Sequence, residues 1–330
     1  MILGFPFSIV AASLLSFTVA FICIWWLIRE KNNWVLDYPN SRSLHSVPVP
    51  RVGGLGLLLS VLITWIFLSA KLPISVWLGV ILLIPISLLD DIRQIPVWYR
   101  LLAQSIAAVA FSFALLQEGL SWLTILPIFL SIMWMSNLYN FMDGSDGLAG
   151  GMTIIGFGCY GIIALLAGNH EFALINFSIS AAAIAFVYYN FHPARIFLGD
   201  VGAIPLGFLA ATLGLLGWVE NLWSLWIPLL VFSPFIADSS VTIIKRFIRG
   251  EKIWQAHREH YYQRIVQTGF GHRNTAFASY LLMIMVGSCA IWANNQELVV
   301  QSQIALILSS TYLALMFIFD WYQISHAHRE

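Results

Sequence analysis

The chain has 330 residues, of which 59% are hydrophobic and only 10% charged, with 16 basic and 16 acidic side chains in formal balance. A mean hydropathy of +0.82 lies far outside the soluble globular range, in which about 25% of residues carry charge. The composition reads as an all-α polytopic membrane protein, and the zero net charge excludes a generally basic nucleic-acid binder.

Apolar spans of ~20 residues recur at about 5–28, 53–70, 74–90, 98–117, 121–137, 148–167, 172–189, 202–219, 222–245, 276–293 and 299–319, about eleven transmembrane helices in one integral membrane domain over 1–330. The first span has no basic residue before it and is too long for a signal-peptide core, so it is read as retained. The connecting loops on one side fall at about 29–52, 91–97, 138–147, 190–201 and 246–275. They, the span ends beside them and the carboxyl-terminal tail hold every Lys and Arg except Lys71, out of 16 in all. By the positive-inside rule that side is cytoplasmic, which predicts an outside amino terminus and a cytoplasmic carboxyl terminus. Cys23, Cys159 and Cys289 each stand alone in an apolar run, with no disulfide or metal-binding spacing.

Asp90, Asp91, Asp143, Asp146, Asp200 and Asp238 all fall at cytoplasmic span ends, while outer loops hold single glutamates. Carboxylates beside a membrane core are costly, so this convergence reads as a functional site.

In chain order, the first cytoplasmic loop carries His45 among Pro39, Pro48 and Pro50 and ends in Arg51-Val-Gly53-Gly54, a composition for extended, turning chain. The third span ends in Asp90-Asp91-Ile-Arg93. Adjacent carboxylates repel, which suggests a cation or a shared proton, or a charged pair that simply stops the span. Next comes Asn137-Leu-Tyr-Asn140-Phe-Met-Asp143-Gly144-Ser-Asp146-Gly147, followed by Gly150-Gly151. The glycines break the helix after Asn140 and allow close approach of backbone to a phosphate. The stretch Asn190-Phe-His192-Pro193-Ala-Arg195-Ile-Phe197-Leu-Gly199-Asp200 offers a carboxylate that could equally cap a helix, with a flat aromatic at Phe197. Asp238 precedes Lys245-Arg246, and the loop continues through His257-Arg258-Glu-His260-Tyr-Tyr-Gln-Arg264, read as phosphate-contacting rather than as a metal site.

Carboxylates alone repel an anionic substrate, whereas carboxylates with magnesium, arginines and histidines make a phosphate site. Magnesium takes one or two carboxylates and completes its octahedron with phosphates and water. A lipid phosphate, with a second pKa near ~6, is already a nucleophile, so positioning and charge neutralisation suffice for its transfer chemistry.

In these segments, taken in order, the chain resembles the polyprenyl-phosphate N-acetylhexosamine-1-phosphate transferases, glycosyltransferase family 4. The resemblance implies transfer of a sugar 1-phosphate from a UDP-N-acetylhexosamine to undecaprenyl phosphate, with release of UMP, dependence on Mg2+ (or Mn2+), and placement in the bacterial inner membrane. It implies Asp90 and Asp91 as the catalytic pair, with Asp143 beside them, and Asn140 and Asp200 as metal ligands. It further implies Asp146, Asn190 and Phe197 in the nucleotide pocket, and His257, Arg258, His260 and Arg264 at the sugar phosphate. His45, Asn137 and Asp238 are further candidates. Partners are thus the lipid, the UDP-sugar and the membrane; a homodimer is compatible, and nucleic acid is not a partner. Ala203 replaces the serine that many members carry, and the sparse histidine loop resembles the branch that starts O-antigen-type chains. The rival class, an ion- or proton-coupled secondary transporter, would place its carboxylates near the membrane midplane.

Overall fold

Helices carry most of the chain in a computed structural model that describes residues 5–29, 35–39, 47–117, 119–252, 255 and 257–327. His45 lies outside the described residues. In chain order the helices are α1 (Phe5–Arg29), α2 (Gly53–Phe67), α3 (Ile74–Arg93), α4 (Val97–Gln117), α5 (Ile125–Phe141), α6 (Leu148–Leu166), α7 (His170–Asn190), α8 (Asp200–Val219), α9 (Trp226–Val231), α10 (Ser233–Ile248), α11 (Tyr261–Ile265), α12 (Gly271–Ala293) and α13 (Leu298–Ala327). Among the described residues the exception to the all-α expectation is one antiparallel pair of two-residue strands, β1 (Leu36–Asp37) and β2 (Val49–Pro50).

Nine of the described helical segments are long and apolar enough to cross a membrane, so the protein is a multi-pass membrane protein. The two remaining expected spans take other forms. The stretch read as 53–70 folds as α2, only 15 residues long, or about 22 Å at ~1.5 Å per residue. The stretch read as one span over 222–245 is broken at Phe232 into α9 and α10. Pro234 has no N–H to give to a carbonyl one turn back, so the helical ladder lapses there. The loop read over 246–275 also contains structure, since α10 continues to Ile248 and α11 lies within it.

The bundle is built around α8, which is buried along most of its length and packs against α3 and α5, with α2 and α6 also in contact. An outer layer of α1, α6 and α7 closes one side, α12 lies on α6, and α13 packs lightly against α9 and α12. In lipid, helices associate through close packing rather than through expulsion of water, so small residues at contacts matter. A Cβ on Gly54 would stand 2.2 Å from Gly202 Cα, and one on Gly207 would stand 2.4 Å from the Met135 carbonyl oxygen. These glycines let α2 and α5 reach the central helix. Within the bundle, buried polar side chains pair across helices, as lipid favours: Trp65 Nε1 donates to Ser178 Oγ at 2.8 Å, and Tyr139 Oη meets Thr153 Oγ1 at 2.8 Å.

Candidate active site

The amino-terminal end of α8 is the floor of the site. Its first amides have no partner within the helix, and Asp91 supplies one: its carboxylate accepts from Asp200 N at 3.1 Å and Val201 N at 2.9 Å. A carboxylate there also complements the positive end of the helix dipole. Gly199, at φ +72°, turns the chain into this helix; a Cβ there would fall 2.4 Å from the Arg51 carbonyl oxygen and 2.8 Å from Asp91 Oδ2. Glycine is the residue that tolerates both constraints.

The end of the first loop is clamped over this turn by backbone hydrogen bonds. Gly53 N donates to Phe197 O and Gly54 N to Leu198 O, both at 2.9 Å, and Phe197 N donates to Pro50 O at 2.7 Å. That clamp brings Arg51 above the acidic residues. Arg51 Nη2 lies 3.2 Å from Asp91 Oδ1 and 3.4 Å from Asp200 Oδ1. From the other side, Arg100 Nη1 reaches Asp90 Oδ2 at 2.8 Å and also bonds Asp200 Oδ2. The two adjacent aspartates of α3 therefore diverge, Asp90 toward Arg100 and Asp91 toward α8 and Arg51.

Asp143 sits in the turn between α5 and α6, near the Gly199 amide. Burial pushes its carboxyl well above the ordinary range; Arg51 opposes that shift, and the carboxylates of Asp200 and Asp91 add to it. The histidine loop closes the site from above. Asp238, on α10, accepts from Tyr261 N and Tyr262 N, each at 2.9 Å, and meets His260 Nδ1 at 3.2 Å. Tyr262 Oη donates to the Phe141 carbonyl at 2.9 Å and accepts from Gly144 N at 3.0 Å, docking the loop on the end of α5. His257 lies against His260, with ring centroids 4.8 Å apart. Burial, together with His260 and Arg246, pushes its imidazole down to about 4, so it is neutral at physiological pH.

Arg51, Arg100, Asn140, Asp143, Asp200, His257 and His260 line one cavity of about 320 Å³, with Gln255, Tyr262 and Gln263 at its walls, while Asp90, Asp91 and Asp238 stand behind it, holding the groups that do. The remaining expected site residues are placed elsewhere. Asp146 accepts from His192 Nδ1 at 2.7 Å and Ala194 N at 3.2 Å. Asn190 accepts from Gly147 N at 2.9 Å and donates to Ile196 O at 2.8 Å. Both amide and carboxylate are spent on bracing the 190–199 turn, and neither residue lines the cavity. Phe197 is half-buried and joins the clamp through its backbone. Asn137 donates to Gln104 Oε1 at 2.7 Å, inside the α4–α5 contact. Arg258 is exposed. Arg264 does not line the cavity: its Nη1 pairs with Asp320 Oδ1 at 2.7 Å on α13.

Arg51 and Arg100 are the site members that pattern reasoning over the sequence passes by. Both sit in segments that the sequence reads as cytoplasmic, where basic residues are expected for orientation alone, and their ion pairs with Asp200 span 149 and 100 residues of chain. Among the described residues no three side chains of His, Cys, Asp or Glu converge with the geometry to hold a metal ion. The two guanidiniums stand between the carboxylates. The oxygens that do face the cavity, from Asp143, Asp200 and Asn140, are hard donors of the kind magnesium takes, and that ion needs only one or two protein carboxylates when phosphates complete its shell. The donor set therefore fits.

A second cavity, of about 280 Å³, lies among α5, α6, α8, α9 and α10 and is lined by apolar side chains including Ile128, Met135, Ala211, Phe232 and Ile236. Met135 and Asn140 are both on α5. They stand five positions apart, about 7.5 Å along the helix, so the apolar slot, which runs from Met135 back to Thr124, begins one to two turns from the phosphate-like site on one rigid element.

A polar, charge-dense cavity at helix ends beside an apolar slot is the architecture of an integral membrane enzyme that joins a water-soluble substrate to a lipid, here a transferase. Residues 73–217 match the model of glycosyl transferase family 4. The chain is 30% identical over 282 residues to a probable undecaprenyl-phosphate N-acetylglucosaminyl 1-phosphate transferase of Bacillus subtilis, covering 78% of each chain. It is 28% identical over 300 residues to the undecaprenyl-phosphate alpha-N-acetylglucosaminyl 1-phosphate transferase of Yersinia pestis, covering 82% of this chain and 81% of that one. A third relative, the decaprenyl-phosphate N-acetylglucosaminephosphotransferase of Mycobacterium leprae, is 27% identical over 294 residues, or 74% of this chain and 73% of that one. The chain belongs to glycosyl transferase family 4, among the polyprenyl-phosphate N-acetylhexosamine-1-phosphate transferases.

Proposed function

We propose that the protein transfers a sugar 1-phosphate from a UDP-N-acetylhexosamine to undecaprenyl phosphate at the cytoplasmic face of the bacterial inner membrane, releasing UMP and beginning a lipid-linked envelope glycan of the O-antigen type. The observation that carries this reading is the pairing of the cavity holding Arg51, Arg100, Asp143, Asp200 and His257 with the apolar slot one to two turns away along α5. The names of the relatives, which specify polyprenyl phosphate and N-acetylglucosamine 1-phosphate, support the same chemistry.

In this reaction an oxygen of the lipid phosphate forms a bond to the sugar-bearing phosphorus of the donor. The bond from that phosphorus to the bridging oxygen breaks, and UMP leaves with that oxygen. The lipid phosphate is largely dianionic near neutral pH, so no strong base is required. Arg51 and Arg100 offset the charge of the phosphates as they meet, a task that preorganised cations perform without reorganisation. Neutral His257, together with His260, orients the sugar phosphate by hydrogen bonding. Asp91 holds Arg51 and the start of α8 in place. Asp200, Asn140 and Asp143 would hold magnesium, which when bound supplies further charge neutralisation on the pyrophosphate. The tail of the lipid lies in the slot lined by Met135, Ala211 and Phe232.

The test is UMP release by purified protein in detergent with undecaprenyl phosphate, magnesium and a panel of UDP-N-acetylhexosamines. Turnover with one or more donors, abolished by chelation and restored by added Mg2+, is the expected result. No UMP from any donor overturns the reaction, and turnover that survives chelation overturns the metal assignment.

A further inference from the structure

α13 is apolar along almost its whole length, and Asp320 is its one charged residue between Leu298 and Ser325. A carboxylate in such a segment is costly unless its partners compensate. Asp320 has three, and all come from the segments that flank the histidine loop. Its Oδ1 pairs with Arg264 Nη1 at 2.7 Å, its Oδ2 accepts from Tyr261 Oη at 2.8 Å, and Lys245 Nζ bonds the same oxygen. Arg264 is further fixed by donating from Nε to Gln323 Oε1 at 3.1 Å, and its guanidinium lies between the rings of Tyr261 and Phe319, at 5.0 and 5.1 Å from their centroids.

Tyr261 directly follows His260, and its backbone N–H, like that of Tyr262, donates to Asp238. The chain leaving the two cavity-lining histidines is thus gripped twice, through its backbone by α10 and through its side chains by α13. α13 otherwise packs lightly on the bundle, which makes this cluster the main tie at its cytoplasmic end. We propose that Asp320 is a positioning residue: it fixes Tyr261 and Arg264, and through them holds His257 and His260 at the cavity. This rests on the reading of those histidines as donor contacts. Arg264 is then a strut whose charge is spent on Asp320, and it does not bind substrate.

The experiment compares full-length wild type, Asp320→Asn and Asp320→Glu in detergent, by UMP-release kinetics, by hydrogen exchange and by thermal melting. Asp320→Asn keeps the size of the side chain and loses the charge that grips Lys245 and Arg264. It is expected to lower kcat/KM for the UDP-sugar about tenfold or more, the effect of losing ~1.4 kcal/mol of transition-state positioning. KM for the lipid should stay unchanged, exchange should rise within 257–268 and at the end of α13, and Tm should barely move. Asp320→Glu should recover most of the donor kcat/KM. Unchanged kinetics and exchange in Asp320→Asn overturn the proposal, as does an equal loss in both variants with a general fall in Tm. If wild type releases no UMP, the reading of the site fails. The exchange measurement then decides the grip alone: local loosening in Asp320→Asn supports it, and unchanged exchange removes it.

Discussion

The Asp91 carboxylate accepts from the Asp200 backbone amide at 3.1 Å, yet the surroundings of the two side chains assign them different work. The Asp91 carboxylate is filled by two amides of α8 and by Arg51, while Asp200 faces the cavity between two guanidiniums. Asp200→Asn is expected to remain folded and lose about 10²-fold or more in turnover, the scale of removing one preorganised charge from such a site. Asp91→Asn should lose most activity and also lower stability by ~1–3 kcal/mol, because one amide of a buried helix start goes unpaired. A denaturation curve beside the kinetics separates the two, and equal stabilities would remove the capping role. His257 gives a pH test. Its folded pKa is depressed to about 4, against ~6.5 unfolded, so between those values the unfolded chain binds the extra proton and stability falls as pH falls. His257→Gln should flatten that part of the Tm–pH profile without altering the neutral plateau.

Local pattern and tertiary contact divide the legibility of the elements. Span positions follow from runs of hydrocarbon about twenty residues long, which is why the ends of α3, α5, α7 and α8 could be read with their aspartates attached. The break at Phe232 was less visible: Pro234 can begin a helix as readily as interrupt one, and the choice depends on how α9 and α10 pack. Asp143 and Asp200 could be picked out because a carboxylate near lipid is rare. Arg51 and Arg100 do not stand out because cations at that face are common, and the pairing of Arg264 is hidden because its partner, Asp320, is 56 positions later in the chain. The apolar slot is invisible for a similar reason, being formed by residues from five helices. Its role is checked by Ala211→Trp, which fills the slot from α8. KM for undecaprenyl phosphate should rise about tenfold, equivalent to ~1.4 kcal/mol, with a much smaller change for a short-chain polyprenyl phosphate. Equal effects on both acceptors would place the tail elsewhere.

At the scale of the whole molecule, orientation is the expectation with the widest reach, since it sets which compartment supplies the nucleotide sugar. Arg258 is exposed at the histidine loop, and the three native cysteines lie in apolar helices. With Arg258→Cys, a membrane-impermeant maleimide should label inside-out vesicles and leave intact spheroplasts unlabelled; labelling of the spheroplasts would reverse the assigned topology. One consequence follows from the shared helix α5, with its polar cavity at one end and its apolar slot alongside. Under the proposed reaction the two products exit into different phases. UMP is lost to an aqueous volume in which it is diluted, while the lengthened lipid can only slide sideways into the bilayer and stays within a few nanometres of the protein. The reverse reaction is then limited by recapture of the nucleotide. Lipid products accumulating in the membrane would compete with fresh acceptor for the slot, so initiation would slow whenever the next step of glycan assembly falls behind.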